Sequence, residues 1–177
     1  MKRYINEFIK LKCASDLLAW GVFPNAKEIT ESMAMYHAVK NHVPFNLRDE
    51  EINLVVVGDG KSPRTAALFA VMTKWTCYSV DPKMDEKWLS CKEIKRLHAI
   101  KSKVEDIHIE FEKVVIVLPH SHAPIMHVLK HIVGFEERHI VAMPCCVPCL
   151  IPGVVGKIYE DENVWSLKNT ILIYNNV

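Results

Sequence analysis

The chain has 177 residues, half of them hydrophobic and 24% charged, with a formal net charge of +1. This length and composition fit a globular protein with a buried core, and the near-zero charge does not indicate a nucleic-acid binder. No apolar run approaches the roughly 18 residues needed to cross a membrane, and the N-terminus lacks the apolar core of a signal peptide. We therefore expect a cytoplasmic protein whose six cysteines are reduced thiols rather than a disulfide framework.

Residues 1–50 are expected to form an N-terminal layer of helices. Five apolar side chains are spaced for one face of a first helix, and these are Ile5, Phe8, Ile9, Leu17 and Leu18. Gly21 and Pro24 end that helix, and Asn25 is placed to cap a second helix, with Glu28 three residues on. The apolar face of this second helix is predicted to carry Ile29, Met33, Tyr36 and Val39.

Over residues 51–177, short apolar strands alternate with helical patterns. The predicted strands are 53–57, 76–80, 98–104, 113–118 and 139–143, with further strands near 155–159 and 170–174. Helices are predicted to begin near Pro63 and to span 123–133, and the charged segment 85–97 has some helical character. The alternation predicts one α/β domain over 1–177, with a mostly parallel sheet of about six to seven strands and helices on both faces.

The most informative segment follows the strand predicted at 53–57. It reads Gly58-Asp59-Gly60, and then Ser62 and Pro63 supply a helix start, with Ser62 as the expected N-cap. The next strand ends in Asp81, about 20 residues after the turn. Strand, glycine turn, helix and strand-end acid form the first half of a nucleotide-binding α/β unit. In such a unit the glycines admit a ligand and the acid accepts from ribose hydroxyls.

Residues whose side chains can bind a ligand or take part in a reaction collect at the carboxyl ends of the predicted strands. In a parallel sheet these ends share one rim, where ligands bind. The expected rim segments are 58–60, 81–82, 105–106, 119–122 and 144–146. His120 and His122 are candidates for a general base or for metal ligands. The alternative interpretation is a polar loop in which the two histidines have no functional role. A hydrolase built on Ser121 is disfavoured because no Gly-x-Ser-x-Gly elbow surrounds it.

Three cysteines lie in one segment, as Cys145, Cys146 and Cys149. The Cys-x-x-Cys spacing of the last two suits zinc, and His120 or His122 is available to complete such a site. No second Cys-x-x-Cys pair is present, and the apolar surroundings are typical of a buried loop of reduced thiols. We therefore expect no metal here. A redox role is also disfavoured, because the pair does not open a helix in a thioredoxin-like unit.

The segment 52–143 resembles the class I S-adenosylmethionine-dependent methyltransferases, with the final strands included. The resemblance is carried by Val55-Val56-Val57-Gly58-Asp59-Gly60, by Asp81, and by the strand from Glu112 to Leu118. The chain departs from the family at Pro63, where a third glycine is expected. The segment after that strand, 118–124, is not the Asp/Asn-Pro-Pro-aromatic motif of many nucleic-acid amino-group methyltransferases, so no substrate class is implied.

The resemblance implies a Rossmann-like methyltransferase fold, S-adenosylmethionine as the cofactor, and an unidentified methyl acceptor. The implied cofactor contacts are Gly58, Asp59, Gly60, Ser62, Asp81, Glu105, Asp106 and Pro119. Asp81 would hold the ribose, Glu105 or Asp106 would meet the adenine, and Asp59 would face solvent or bind the cofactor amine. His120 and His122 are the candidate catalytic residues. Two other interpretations stay open: a methyltransferase-like binding module without turnover, and a nicotinamide-linked enzyme with the same turn and acid.

Overall fold

The computed structural model describes residues 3–177, and in this part of the chain seven strands form one sheet. The strands are β1 Asn53–Val57, β2 Thr76–Val80, β3 Leu97–Ile100, β4 Ile109–Pro119, β5 Ile132–Met143, β6 Lys157–Glu160 and β7 Thr170–Tyr174. Their order across the sheet is β3-β2-β1-β4-β5-β7-β6. Strands β1 to β5 pair in parallel, and β7 is antiparallel to both β5 and β6. The mostly parallel sheet predicted from the sequence is confirmed.

Helices cover both faces of this sheet. They are α1 Arg3–Phe8, α2 Ala14–Ala19, α3 Ala26–His42, α4 Arg64–Met72 and α5 Ile125–His131. Alternate residues of β1 face opposite sides, so that Leu54 and Val56 pack with α3 and α4 while Val55 and Val57 pack with α5. No helix among the described residues is long and apolar enough to cross a membrane.

The N-terminal layer differs in detail from the sequence prediction. The expected first helix is two short helices, and the apolar spacing does not continue across the turn between them. Ile9 and Leu18 are 58% and 48% exposed as a result, whereas Phe8 and Leu17 are buried. The cap of α3 is confirmed, because Asn25 Oδ1 accepts a hydrogen bond from the Glu28 N–H at 3.1 Å.

The bounds of β1, β2 and β7 match the prediction, and those of β3, β4 and β5 do not. The first residues of β4 alternate between half-buried and exposed, so they lack the continuous apolar run that marks its second half. Similarly, β5 begins directly after α5 and was predicted only from residue 139. Residues 104–106 form a 3₁₀ turn rather than the end of β3. In segment 85–97 the only helical turn is the 3₁₀ turn Glu86–Trp88, and the segment ends in the first residue of β3.

Candidate functional site

The carboxyl ends of the central strands surround a cavity of about 500 Å³. It is lined by the turn after β1, by residues 80–83 and 102–105, and by residues 120–124 after β4. This is the rim at which parallel α/β sheets bind ligands, and the volume is that of a small-molecule site. Four of the five predicted rim segments contribute to the lining. The fifth, 144–146, reaches it through a contact of Cys146 with His122.

The turn after β1 brings the backbone close to the end of β4. Gly58 and Gly60 have φ angles of +89° and +86°, a left-handed conformation that glycine adopts without strain. A Cβ on Gly58 would lie 2.9 Å from the Cα of Ser121, so no side chain fits there. Both glycines line the cavity, where their backbone is open to a ligand.

Asp81 holds this turn from the end of β2. Its Oδ2 accepts from the Gly60 N–H at 2.8 Å, and its Oδ1 accepts from the Lys83 N–H at 2.7 Å. The residue is 7% exposed and lines the cavity. A carboxylate has about four acceptor positions, so these two bonds orient the group and leave positions for ligand hydroxyls.

Asp59 does not take the cofactor-binding position predicted for it. Its side chain is fully buried, and its oxygens accept from the Thr65 and Ala66 N–H groups at 3.0 and 3.1 Å and from Ser79 Oγ at 3.0 Å. These bonds satisfy the free N–H groups that begin α4. Burial raises the pKa of Asp59, while Arg64 and the α4 N–H groups oppose that rise. The prediction that this acid faces solvent was wrong, and its bond to a cofactor amine stays a prediction that this hydrogen-bond pattern does not favour.

Ser62 is also directed away from the cavity. Its hydroxyl donates to the Val22 carbonyl at 2.7 Å, which ties the start of α4 to the N-terminal layer. The N-cap position belongs to Pro63, which has no side-chain capping bond. The expected capping role of Ser62 is therefore filled by the carboxylate of Asp59, which reaches across the turn.

Of the remaining predicted cofactor contacts, Glu105, Asp106 and Pro119, only the first lines the cavity. Glu105 lines the cavity, with Oε1 3.1 Å from Nδ1 of His127, whose hydrogen bond lowers the pKa of the Glu105 carboxyl. Asp106 is exposed and lies outside the lining. Pro119 is the buried last residue of β4 and does not line the cavity either, because the chain presents its next residue, His120, there instead.

His120 stands at the cavity with an uncommon backbone conformation. Its φ of +57° is left-handed, and its N–H donates to the Met143 carbonyl at 2.9 Å. The imidazole Nε2 lies 3.1 Å from Oε1 of Glu31, within ion-pair distance but outside hydrogen-bond geometry. Both ring nitrogens are buried without a hydrogen bond to any described residue. A buried polar group left unpaired in this way marks a place for a ligand or a reaction.

Glu31, on α3, was not predicted from the sequence as a site residue. It is 1% exposed and lies 3.3 Å from Lys27 Nζ and 3.9 Å from Arg64 Nη2. Burial raises its pKa, but His120, Lys27 and Arg64 outweigh that effect and hold the pKa below its usual value. The sequence offered little signal, because Lys27 four residues earlier is typical of an exposed helical ion pair.

His122 lies at the mouth of the cavity, beside the cysteine segment. Its side chain is exposed, and Cys145 and Cys146 come close enough that the three donor atoms lie within 4.8 Å of one another. Burial, with a further contribution from Cys146, raises the pKa of the Cys145 thiol. Cys149 is not part of this group, because it is buried with its Sγ directed to the Val147 carbonyl. The two thiols that lie beside His122 are therefore those of Cys145 and Cys146, and not the Cys146 and Cys149 that the spacing indicated.

No family model matches the chain, and no curated protein matches it either. Among solved structures, a mutant of the nicotianamine synthase MtNAS in complex with S-adenosylmethionine superposes with a TM-score of 0.58 at 14% identity, over 97% of this chain and 70% of that one. MtNAS in complex with MTA and tNA gives 0.56 at 13% identity, over 99% and 69%. The 16S rRNA (adenine(1408)-N(1))-methyltransferase from Catenulisporales acidiphilia gives 0.49 at 15% identity, over 88% and 94%.

The chain has the class I S-adenosylmethionine-dependent methyltransferase fold. Within this class I fold, half of the eight predicted cofactor contacts line the cavity. Those lining it are Gly58, Gly60, Asp81 and Glu105, and those outside it are Asp59, Ser62, Asp106 and Pro119. Both candidate catalytic histidines, His120 and His122, also line it. Sequence identities this low establish a shared fold and not a shared activity. The activity of this chain is therefore inferred from the residues of its own cavity.

Proposed function

We propose that the chain is an S-adenosylmethionine-dependent methyltransferase acting on an unidentified acceptor. The observation that carries this proposal is Asp81, an acid at the end of β2 that is oriented by Gly60 and Lys83 inside the cavity. Its remaining acceptor positions suit the two hydroxyls of a ribose. The fold supports the proposal, and the mutant of MtNAS that superposes on this chain is in complex with S-adenosylmethionine.

The structure also favours this cofactor over a nicotinamide dinucleotide. Dinucleotide-binding folds place a pyrophosphate at the N-terminus of the helix that follows the glycine turn. Here the Thr65 and Ala66 N–H groups at that terminus are already bound by the Asp59 carboxylate. A pyrophosphate would have to displace a buried carboxylate and would meet its negative charge. S-Adenosylmethionine has no phosphate and makes no such demand on α4.

The acceptor side of the proposal rests on the residues after β4. Bound S-adenosylmethionine supplies a methyl group already activated by its sulfonium. His120 would take the proton of the acceptor at Nδ1, the ring nitrogen farther from its ion-pair contact with Glu31. Glu31 is the positioning residue, because its carboxylate fixes the imidazole and stabilises the imidazolium that forms. His122, at the cavity mouth, is proposed to contact the acceptor.

Titration calorimetry with S-adenosylmethionine, S-adenosylhomocysteine and NAD tests the choice of cofactor. We expect the first two to bind at one per chain and NAD to bind at least tenfold more weakly. Binding of NAD alone would contradict the proposal and support a nicotinamide-linked enzyme.

Turnover needs a separate experiment, because the acceptor is unknown. The protein is incubated with methyl-labelled S-adenosylmethionine and fractionated cell extract, and the nucleoside product is identified by mass spectrometry. We expect S-adenosylhomocysteine together with label in one fraction. Loss of a sulfonium substituent other than methyl would contradict methyl transfer. Binding without any turnover across all fractions would support the interpretation as a binding module.

A further inference from the structure

A cluster of metal-binding side chains lies at the mouth of the cavity, outside the proposed cofactor contacts. His122, Cys145 and Cys146 each direct a donor atom to one place, with all three atoms within 4.8 Å of one another. The Sγ of Cys146 is 3.6 Å from Nε2 of His122 and 3.8 Å from its Nδ1. Two thiols and one imidazole form a donor set that favours zinc over the harder cations.

We propose that His122, Cys145 and Cys146 bind one zinc ion. In a tetrahedral site the Zn–N bond is about 2.05 Å and the Zn–S bond about 2.3 Å, which places the two donor atoms about 3.6 Å apart. The observed separation of His122 Nε2 and Cys146 Sγ is 3.6 Å. That pair therefore already has the spacing of two ligands of one ion, and Nε2, the nearer nitrogen, is the expected ligand.

The fold explains why the Cys-x-x-Cys spacing indicated a different pair of cysteines from the pair that lies beside His122. The Cys-x-x-Cys spacing suggested Cys146 and Cys149, but Cys149 is 1% exposed and packs in the apolar core around α5 and β7. The Tyr174 hydroxyl donates to the Cys149 carbonyl at 3.1 Å, which holds that residue inward. Cys145 and Cys146 are left at the surface, facing His122 across the ends of β4 and β5.

Three protein ligands leave one coordination position open. Among residues 3–177, no other histidine, cysteine or acidic side chain joins the group. Structural zinc sites are closed by four protein ligands, whereas a Cys₂His set with an open position is typical of catalytic sites. Because His122 also lines the cavity, the open position lies at its mouth. Resting on the proposed function, we assign that position to a lone-pair donor of the methyl acceptor.

Zinc binding is tested without cofactor. The 177-residue chain is stripped with a chelator, titrated with Zn²⁺ and measured by elemental analysis after gel filtration. Co²⁺ is used as a spectroscopic substitute. We expect one ion per chain and a thiolate-to-cobalt charge-transfer band. Cys146→Ser and His122→Gln should each weaken zinc binding at least tenfold, a loss that even outer-shell substitutions can reach. Cys91→Ser is the matched control, because Cys91 is a partly exposed thiol outside the cluster.

The outcomes separate this inference from the proposed function. Absence of stoichiometric zinc, or equal weakening in Cys91→Ser, would overturn the metal site even if S-adenosylmethionine binds. Zinc binding in a protein that does not bind S-adenosylmethionine would uphold the site and overturn the methyltransferase. Adding a small thiol to the cobalt protein should shift its spectrum, and an unchanged spectrum would contradict the open position. Circular dichroism identifies any variant that fails to fold. If Cys146→Ser fails to fold, His122→Gln provides the test of the site.

Discussion

The two sides of the cavity differ in how completely their polar groups are paired. On the β1–β2 side, the carboxylates of Asp59 and Asp81 accept five hydrogen bonds, and four of these come from the backbone. On the β4–β5 side, the ring nitrogens of His120 have no hydrogen bond to any described residue, and His122 and Cys146 are exposed. Paired groups fix a shape, while unpaired groups retain the capacity to bind or react.

This difference suggests a division of work along the rim. The β1–β2 side is preorganised for binding, because its hydrogen bonds are formed without any ligand and need no rearrangement. The β4–β5 side keeps an imidazole and two thiols available, at the cost of burying His120 without full pairing. Substitution of Asp81 or of the glycine turn should therefore change binding or stability, and substitution of the unpaired His120 should change turnover.

The largest expected effect is the loss of His120. We expect His120→Ala to lower kcat by about 10²–10⁴-fold, the usual contribution of a general base, while leaving the affinity for S-adenosylmethionine within about twofold. The rate is measured as S-adenosylhomocysteine formation with the acceptor found in labelled extract. His108→Ala is the matched control, since His108 is an exposed histidine outside the cavity. Full activity in His120→Ala would leave this residue with a structural role only.

A glycine pair tests the rigidity of the β1–β2 side. Gly58→Ala combines a left-handed φ with a clash against Ser121 Cα at 2.9 Å, and we expect it to lower the free energy of unfolding by about 2–5 kcal/mol. Gly153 has a similar φ of +75° and nothing within 4 Å of an added Cβ, so Gly153→Ala should cost about 1–2 kcal/mol. Chemical denaturation measures both. Equal losses would show that the close approach to β4 does not matter.

Asp81 tests whether the same side holds the cofactor. We expect Asp81→Ala to weaken S-adenosylmethionine binding by about 1.5–3 kcal/mol, the scale of hydrogen bonds to a charged group. The matched control is Asp106→Ala, which removes an exposed acid outside the cavity. Calorimetry on folded proteins gives the result, and unchanged affinity in Asp81→Ala would remove the ribose assignment.

The predictability of these two sides from sequence also differs. The strand, glycine turn and strand-end acid lie within 30 residues of chain, and local patterns gave the bounds of β1 and β2 and placed Asp81 correctly. Even here, two neighbouring residues did not take the roles that the sequence predicted for them. Ser62 is a good N-cap by type, but Asp59 reaches the α4 N–H groups and Ser62 binds Val22. Residue preferences do not determine which of two nearby acceptors wins.

The other side depends on contacts between distant segments. Glu31 and His120 belong to α3 and to the end of β4, and no local pattern brings them together. Likewise, His122 meets Cys146 because β4 and β5 pair in parallel with Pro119 opposite Met143. The sequence supplied the residue types, and the sheet register selected which thiol faces the histidine.

The buried ion-pair cluster makes stability depend on pH. The pKa of Glu31 is lowered below its usual value of 4.5, so its charged form contributes stability above that pH. This contribution is lost as the pH falls through the lower pKa of the folded state. We expect the free energy of unfolding of the wild type to exceed that of Glu31→Gln by about 1–2 kcal/mol near neutral pH. That advantage should shrink below about pH 4.5. Denaturation at a series of pH values measures it, and a difference that does not change with pH would contradict the charged pairing.

The smallest effect tests the correction at Ser62. The hydroxyl donates to the Val22 carbonyl at 2.7 Å and does not line the cavity. We therefore expect Ser62→Ala to lower the free energy of unfolding by about 0.5–1.5 kcal/mol, the net value of one hydrogen bond, with no change in S-adenosylmethionine affinity. Denaturation and calorimetry on the same preparation separate the two effects. A loss of affinity without a loss of stability would restore Ser62 to the cofactor site and would show that the start of α4 turns toward the cavity when the ligand binds.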